Sequence, residues 1–260
     1  MENMRKIFSN YYMCIDAKSQ EIADLASKNQ DISEVTLKYI NEIYQSVNSE
    51  SEFHTDRFKS AYHLAITPLV EFFIARIFYH YSENNELNWN VNLRFQENKT
   101  VPDIRIFFRE DNKEKTIAII EIKTRVSWIQ ACFSEHRADA DDKKRQEGRG
   151  KINSIEDFQK QIKKYLETYE IKSDQFFVFI PSLKGAYKPT FNKNIDDYKK
   201  WFCTLAPLKE ENLVLLSNNP RLELDKIKKI ENIQATQNFE SMLKSLANNS
   251  KRTYMNSNLR

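Results

Sequence analysis

Val101-Pro-Asp-Ile-Arg-Ile106 and Ile119-Ile-Glu-Ile-Lys-Thr124 decide how this chain is read. Both alternate in the manner of strands, and strands are predicted at 103–108 and 116–123. Between them Arg109–Lys115 is charged and short enough for a hairpin loop. Successive side chains of a strand point to opposite faces, so Glu121 and Lys123 share a face and Ile122 takes the other. A turn centred near Asn112 sets Asp103 opposite Glu121 and pairs Phe108 with Thr116. Register matters here, because a slip by one residue turns every side chain over.

Two carboxylates gathered at one end of a sheet repel each other and call for a cation. Mg²⁺ takes oxygen ligands while keeping several waters. Held by Asp103, Glu121 and the Ile122 carbonyl, it would lower the pKa of an attacking water and neutralise a scissile phosphate. Lys123 would orient that water or stabilise charge developing on the phosphoryl oxygens. The bland alternative is a set of exposed charges at a hairpin. Against it stands the context: Glu121 closes the apolar run Ile117–Ile120, and a charge ending a buried run is costly without a purpose.

Outward from this pair, apolar spacing predicts a helix over 61–81, re-capped or kinked at Thr67-Pro68. A strand follows at 91–96, where Val91, Leu93 and Phe95 alternate with polar residues. After the pair comes a polar stretch, 134–153, then a helix over 154–170. Asp157 follows Ser154 as a weak capping box. Phe176–Ile180 is continuously apolar, as in a strand covered on both faces, and 175–180 is predicted as that strand. A further strand is expected at 213–216, and an amphipathic helix over about 222–246 with a frayed polar tail. Residues 1–50 read as a helical layer broken near 28–30, and 51–60 as a connection. The simplest organisation is one α/β domain over 1–260: the layer 1–50, a core 61–181, and a C-terminal extension 182–260 with one further strand and helix.

Composition excludes several classes. Only three of the 260 residues are glycine, and neither GxxxxGK[ST] nor GxGxxG occurs, so no nucleotide cofactor is expected. Cys14, Cys132 and Cys203 form neither a disulfide framework nor a zinc ribbon, which fits a reduced, cytoplasmic protein. No signal-peptide core or membrane-length apolar run is present, and no membrane partner is expected. The net charge of +3 permits nucleic-acid binding without indicating it. Asp139, Asp141 and Asp142 fail the calcium-loop pattern at Lys143, and His54, His63, His80 and His136 have no zinc spacing.

Pro102-Asp103 with Glu121-Ile122-Lys123 resembles the signature of the PD-(D/E)XK nuclease superfamily, to which many restriction endonucleases belong. That resemblance covers about half the chain. It implies a restriction-endonuclease-like core, a mixed four-stranded sheet flanked by helices in αβββαβ order, here with helical N- and C-terminal additions. The expected element order matches. The resemblance further implies a Mg²⁺-dependent endonuclease acting on double-stranded DNA, most simply a type II restriction enzyme working as a homodimer, since cutting both strands of a palindrome calls for two sites related by a two-fold axis. Glu71, in the first core helix, stands where members of the family often carry an acidic residue near the metal; a solvent-facing helix charge is the alternative. Gln161 and Tyr165 resemble a Gln-x-x-x-Tyr motif of exonuclease and recombination branches, with Tyr165 equally a core residue. Lys143, Lys144, Arg145 and Arg149, in the densest cationic run, and Arg125, Trp128 and Arg137 after the motif strand, are candidate DNA contacts. The rivals are a repair, recombination or other defence nuclease of the same fold, and a binding module that does not cut.

Overall fold

The computed structural model describes residues 2–48, 66–97, 100–110, 113–123, 155–181, 199–200, 202–203, 207–219, 222, 224, 230–231 and 233–257. The expected connection 51–60, the polar stretch 134–153 and residues 61–65 of the first core helix lie outside the described residues.

Two helices open the chain, α1 (Glu2–Ser27) and α2 (Ser33–Asn48), broken where the polar residues 28–30 predict. Asn29 takes a positive φ of 57° in that break, a conformation Asn tolerates better than most residues. Next comes α3 (Ile66–Asn84), with Pro68 in its first turn, where a missing N–H leaves no intrahelical bond unmade. Strands β1 (Asn90–Leu93), β2 (Ile104–Glu110) and β3 (Lys113–Ile122) follow. Then α4 (Ile155–Thr168) leads to β4 (Phe176–Ile180), β5 (Leu213–Leu215) and a last helix, α5 (Asn238–Ser257).

The strands form one mixed sheet in the order β1-β2-β3-β4-β5, antiparallel through β3 and parallel from there on. The further strand expected at 213–216 extends the four-stranded core to five: β5 joins by parallel pairing of Val178 with Leu213 through Ile180 with Leu215. The sheet separates two apolar layers. Ile104, Ile106, Ile120, Ile122, Phe177 and Phe179 face α1, α2, α3 and α5. Ile119, Val178 and Ile180 face Phe158, Ile162 and Tyr165 of α4. All five residues of β4 are buried, as its unbroken apolar run predicts.

Three expectations need correction. The charged segment 109–115 is mostly strand: Glu110 pairs with Lys113, so the connection spans only residues 111–112. Phe108 pairs with Lys115 instead of Thr116, because a bulge interrupts the ladder between Ile106 and Phe107. Ile117 is the extra residue, and it and Ala118 both contribute to the same apolar layer. Its carbonyl accepts from the Gln175 side chain at 3.2 Å, which satisfies a group the ladder leaves over. The last helix also begins later than apolar spacing suggests and continues to Ser257, where fraying was expected. Residues 234–236 are held extended against 216–218, with Asn218 N–H donating to Gln234 O at 2.7 Å and Thr236 N–H to Leu216 O at 3.1 Å. Only beyond this can α5 start.

Candidate active site at the end of β2 and β3

Beyond the bulge the ladder pairs Ile104 with Ile120, Arg105 with Ile119 and Ile106 with Ala118. One step further the same register sets Asp103 against Glu121, as the sequence predicts. Asp103 sits just before β2, and its Oδ2 accepts from the Ile122 N–H at 2.7 Å. Lys123 Nζ donates to Glu121 Oε2 at 2.7 Å and lies 3.9 Å from Asp103 Oδ2. Lys123 is itself anchored, its N–H donating to Phe179 O of β4 at 2.9 Å. Parallel pairing thereby holds the end of the motif strand.

These charges are buried. The Glu121 side chain is 4% exposed, Lys123 11% and Asp103 16%. Burial first, and the neighbouring Glu121 charge second, push the Asp103 carboxyl up to about 7, against Lys123 and the Ile122 N–H, which favour its anion. Burial works to lower Lys123. Glu121 and Asp103, with the Glu121 hydrogen bond, outweigh it and leave the ammonium above its ordinary value. Glu121 Oε1 is buried and has no hydrogen-bond partner among the described residues. An orphaned carboxylate oxygen beside a second carboxylate has the chemistry to coordinate a hard cation.

Glu71 does not face solvent. It is 1% exposed and is gripped by both arms of the Arg94 guanidinium, Nη2 donating to Oε1 at 2.6 Å and Nε to Oε2. Its charge also reaches Asp103 and Lys123. Arg94 is a residue the sequence reading missed. The sequence places it inside the strand expected at 91–96, whereas β1 ends at Leu93 and Arg94 turns left-handed with a φ of 48°.

From α4, Gln161 Nε2 donates to the Tyr165 hydroxyl at 3.1 Å, and that hydroxyl donates to Val101 O at 3.2 Å. Tyr165 is both core and site: its ring packs on Phe176, while burial and then the Glu121 charge raise its phenol well above the ordinary value. Val101 is two residues from Asp103, so the tyrosine ties α4 to the segment that delivers the aspartate. A hydroxyl on an otherwise apolar stripe was the available clue, since a buried Tyr O–H seeks a partner.

Arg125, Trp128, Arg137, Lys143, Lys144, Arg145 and Arg149, and the aspartates 139, 141 and 142, lie outside the described residues. His80 takes no part in this site; it bonds Asp16 at 2.8 Å. Cys14 and Cys203 are free and exposed. Among the described residues no three His, Cys, Asp or Glu side chains form a metal cluster, so the carboxylate donors on offer are the pair Asp103 and Glu121. A groove of about 820 Å³ at the far end of β2 and β3, lined by Glu110, Lys113, Tyr169 and Lys172 among others, contains none of the trio. Among the described residues no helix is long and apolar enough to cross a membrane. Comparison with protein families, curated proteins and solved structures finds no match for the chain.

Proposed function

We propose that this chain is a Mg²⁺-dependent DNA endonuclease of the PD-(D/E)XK type, acting on double-stranded DNA in the manner of a type II restriction enzyme, as a homodimer. The observation that carries the reading is the buried cluster of Asp103, Glu121 and Lys123, with Glu121 Oε1 lacking a partner. Such a cluster weakens the fold: an ionised pair of neighbouring carboxylates in a largely buried setting is held at a penalty that plain hydrophobic residues would avoid. The element order also supports it, a helix, three antiparallel strands, a helix, and a strand parallel to the third.

The donor set suits a hard divalent ion. Asp103 and Glu121 would hold it, with the carbonyl of Ile122, which in an extended strand points to the same side as the N–H that meets Asp103. When bound, Mg²⁺ supplies a water of lowered pKa and charge neutralisation at phosphate. Lys123 holds a proton firmly at Nζ and sits between the two carboxylates, placed to orient a water or meet a non-bridging phosphoryl oxygen. Tyr165 fixes the Val101 carbonyl and so restrains the backbone that carries Asp103. The Gln161–Tyr165 bond favours a second reading, a nuclease of repair, recombination or another defence role.

Digestion of linear DNA of several sequences with Mg²⁺ separates these. Discrete fragments are the expected result for restriction-type cutting. A smear or shortening from the ends supports the second reading. No cutting of single-stranded, double-stranded or branched DNA contradicts both and leaves a binding module.

A further inference from the structure

Arg94 has an arrangement that its ion pair alone does not explain. It is a non-glycine residue with φ of 48°, a left-handed conformation that residues with a Cβ disfavour. Its N–H donates to Asp103 O at 3.0 Å, which continues the β1–β2 pairing by one residue. Directly opposed residues of an antiparallel pair project to the same face, so an ordinary extended Arg94 would send its side chain to the face that carries Asp103. The left-handed turn breaks that alternation and lets the guanidinium reach Glu71 on α3 instead. Glu71 is 1% exposed, but the Arg94 side chain is 48% exposed. Three carboxylates, Glu71, Asp103 and Glu121, thus share two cations, Arg94 and Lys123, within mutual electrostatic reach.

A buried carboxylate such as Glu71 must keep a counter-charge. Arg94 supplies it when no other cation is near. The fork that grips a carboxylate at two points fits a phosphate equally well. We propose that Arg94 is a phosphate-binding residue held in reserve by Glu71 and released to the DNA backbone when a divalent cation beside Asp103 and Glu121 takes over as Glu71's counter-charge. The inference rests on the nuclease reading above and adds to it a coupling between ion and substrate. Ion and guanidinium compete for Glu71, so removing Arg94 must affect ion binding and DNA binding in opposite directions.

The test compares wild type with Arg94→Gln, measuring Mn²⁺ affinity by calorimetry and binding of a fluorescein-labelled duplex by anisotropy in Ca²⁺ or EDTA. Arg94→Gln is expected to bind Mn²⁺ more tightly than wild type, and Mn²⁺ affinity that is unchanged or weaker overturns the competition for Glu71. In Ca²⁺ it binds duplex about tenfold more weakly, with a salt slope shallower by about 0.9; in EDTA the two proteins bind alike. Arg94→Lys leaves a counter-charge on Glu71 and serves if the Gln variant does not fold; lacking the fork, it recovers only part of the Ca²⁺-dependent affinity. Equal loss of DNA binding in Ca²⁺ and EDTA overturns the release, since the contact would then be static. Duplex affinity in Ca²⁺ unchanged in the variant that folds, while wild type still binds and cuts DNA, overturns the proposal alone. Failure of wild type to bind or cut any duplex overturns it together with the nuclease reading.

Discussion

Asp103 answers to two opposing demands, and the conflict is measurable. Its carboxyl is raised from 3.8 to about 7 in the folded chain, chiefly by burial and by Glu121. A raised acid contributes stability that is complete below the unfolded value and is lost as pH climbs through the folded one. The ion-free protein should therefore lose stability between about pH 4 and pH 7. The ceiling is about 4 kcal/mol, with the favourable charge of Lys123 already counted in the folded value. Asp103→Asn keeps an oxygen for the Ile122 N–H and removes the charge. It should raise the unfolding temperature at pH 8 and leave it nearly unchanged at pH 5, the exchange of activity for stability expected where a residue serves chemistry. Mg²⁺ should stabilise wild type at pH 8 and have little effect on the variant. Thermal unfolding at the two pH values checks both statements; an Asp103→Asn protein less stable at pH 8 than wild type would mean the carboxylate is structural.

At the scale of the elements, the β2–β3 hairpin explains what the sequence made legible. Alternation and the apolar run Ile117–Ile120 locate both strands and put Glu121 and Lys123 on one face. The pairing of Asp103 with Glu121 follows from a turn at Asn112, although the connection actually centres between 111 and 112. The bulge at Ile117 offsets that half-residue difference, so the site register agrees while Phe108 pairs one residue away from expectation. No local pattern announces a bulge whose leftover carbonyl is met by Gln175, far along the chain. Arg94 was hidden for a similar reason, since its role depends on a left-handed backbone and on a partner in α3. Two deletions test this account. Deleting Ile117 removes one of two consecutive residues in the same layer, restores plain alternation, and should keep Glu121 and Lys123 where they are at a loss of about 2 kcal/mol. Deleting Ile119 together with Ile117 leaves no bulge to absorb the loss, turns Glu121 and Lys123 to the opposite face and should abolish cutting and destabilise the fold severely. Equal behaviour of the two deletions, in cleavage and in urea unfolding, would contradict the register.

Across the whole molecule, the end of the chain secures its beginning. Glu240 in α5 accepts from the N–H groups of Ile32 and Ser33 at 2.6 and 3.0 Å, satisfying donors that open α2. Glu240→Ala should destabilise the protein by about 1–3 kcal/mol, read by urea unfolding, with Glu240→Gln losing less because it retains an acceptor. A Glu240→Ala protein as stable as wild type would show that water replaces the cap without loss. With α1, α2, α3 and α5 covering one face of the sheet and α4 the other, Asp103, Glu121 and Lys123 are fixed from several directions. That rigidity is what a preorganised centre requires. The central claim, that these three residues cut phosphodiester bonds with a divalent ion, is tested most directly by converting supercoiled plasmid to nicked and linear forms with Mg²⁺ or EDTA, using wild type, Glu121→Gln and Lys123→Ala. The account predicts conversion by wild type with Mg²⁺ alone and a fall of about 10²–10³-fold in each variant; Lys123→Ala cutting as fast as wild type, or wild type leaving the plasmid supercoiled, would contradict it.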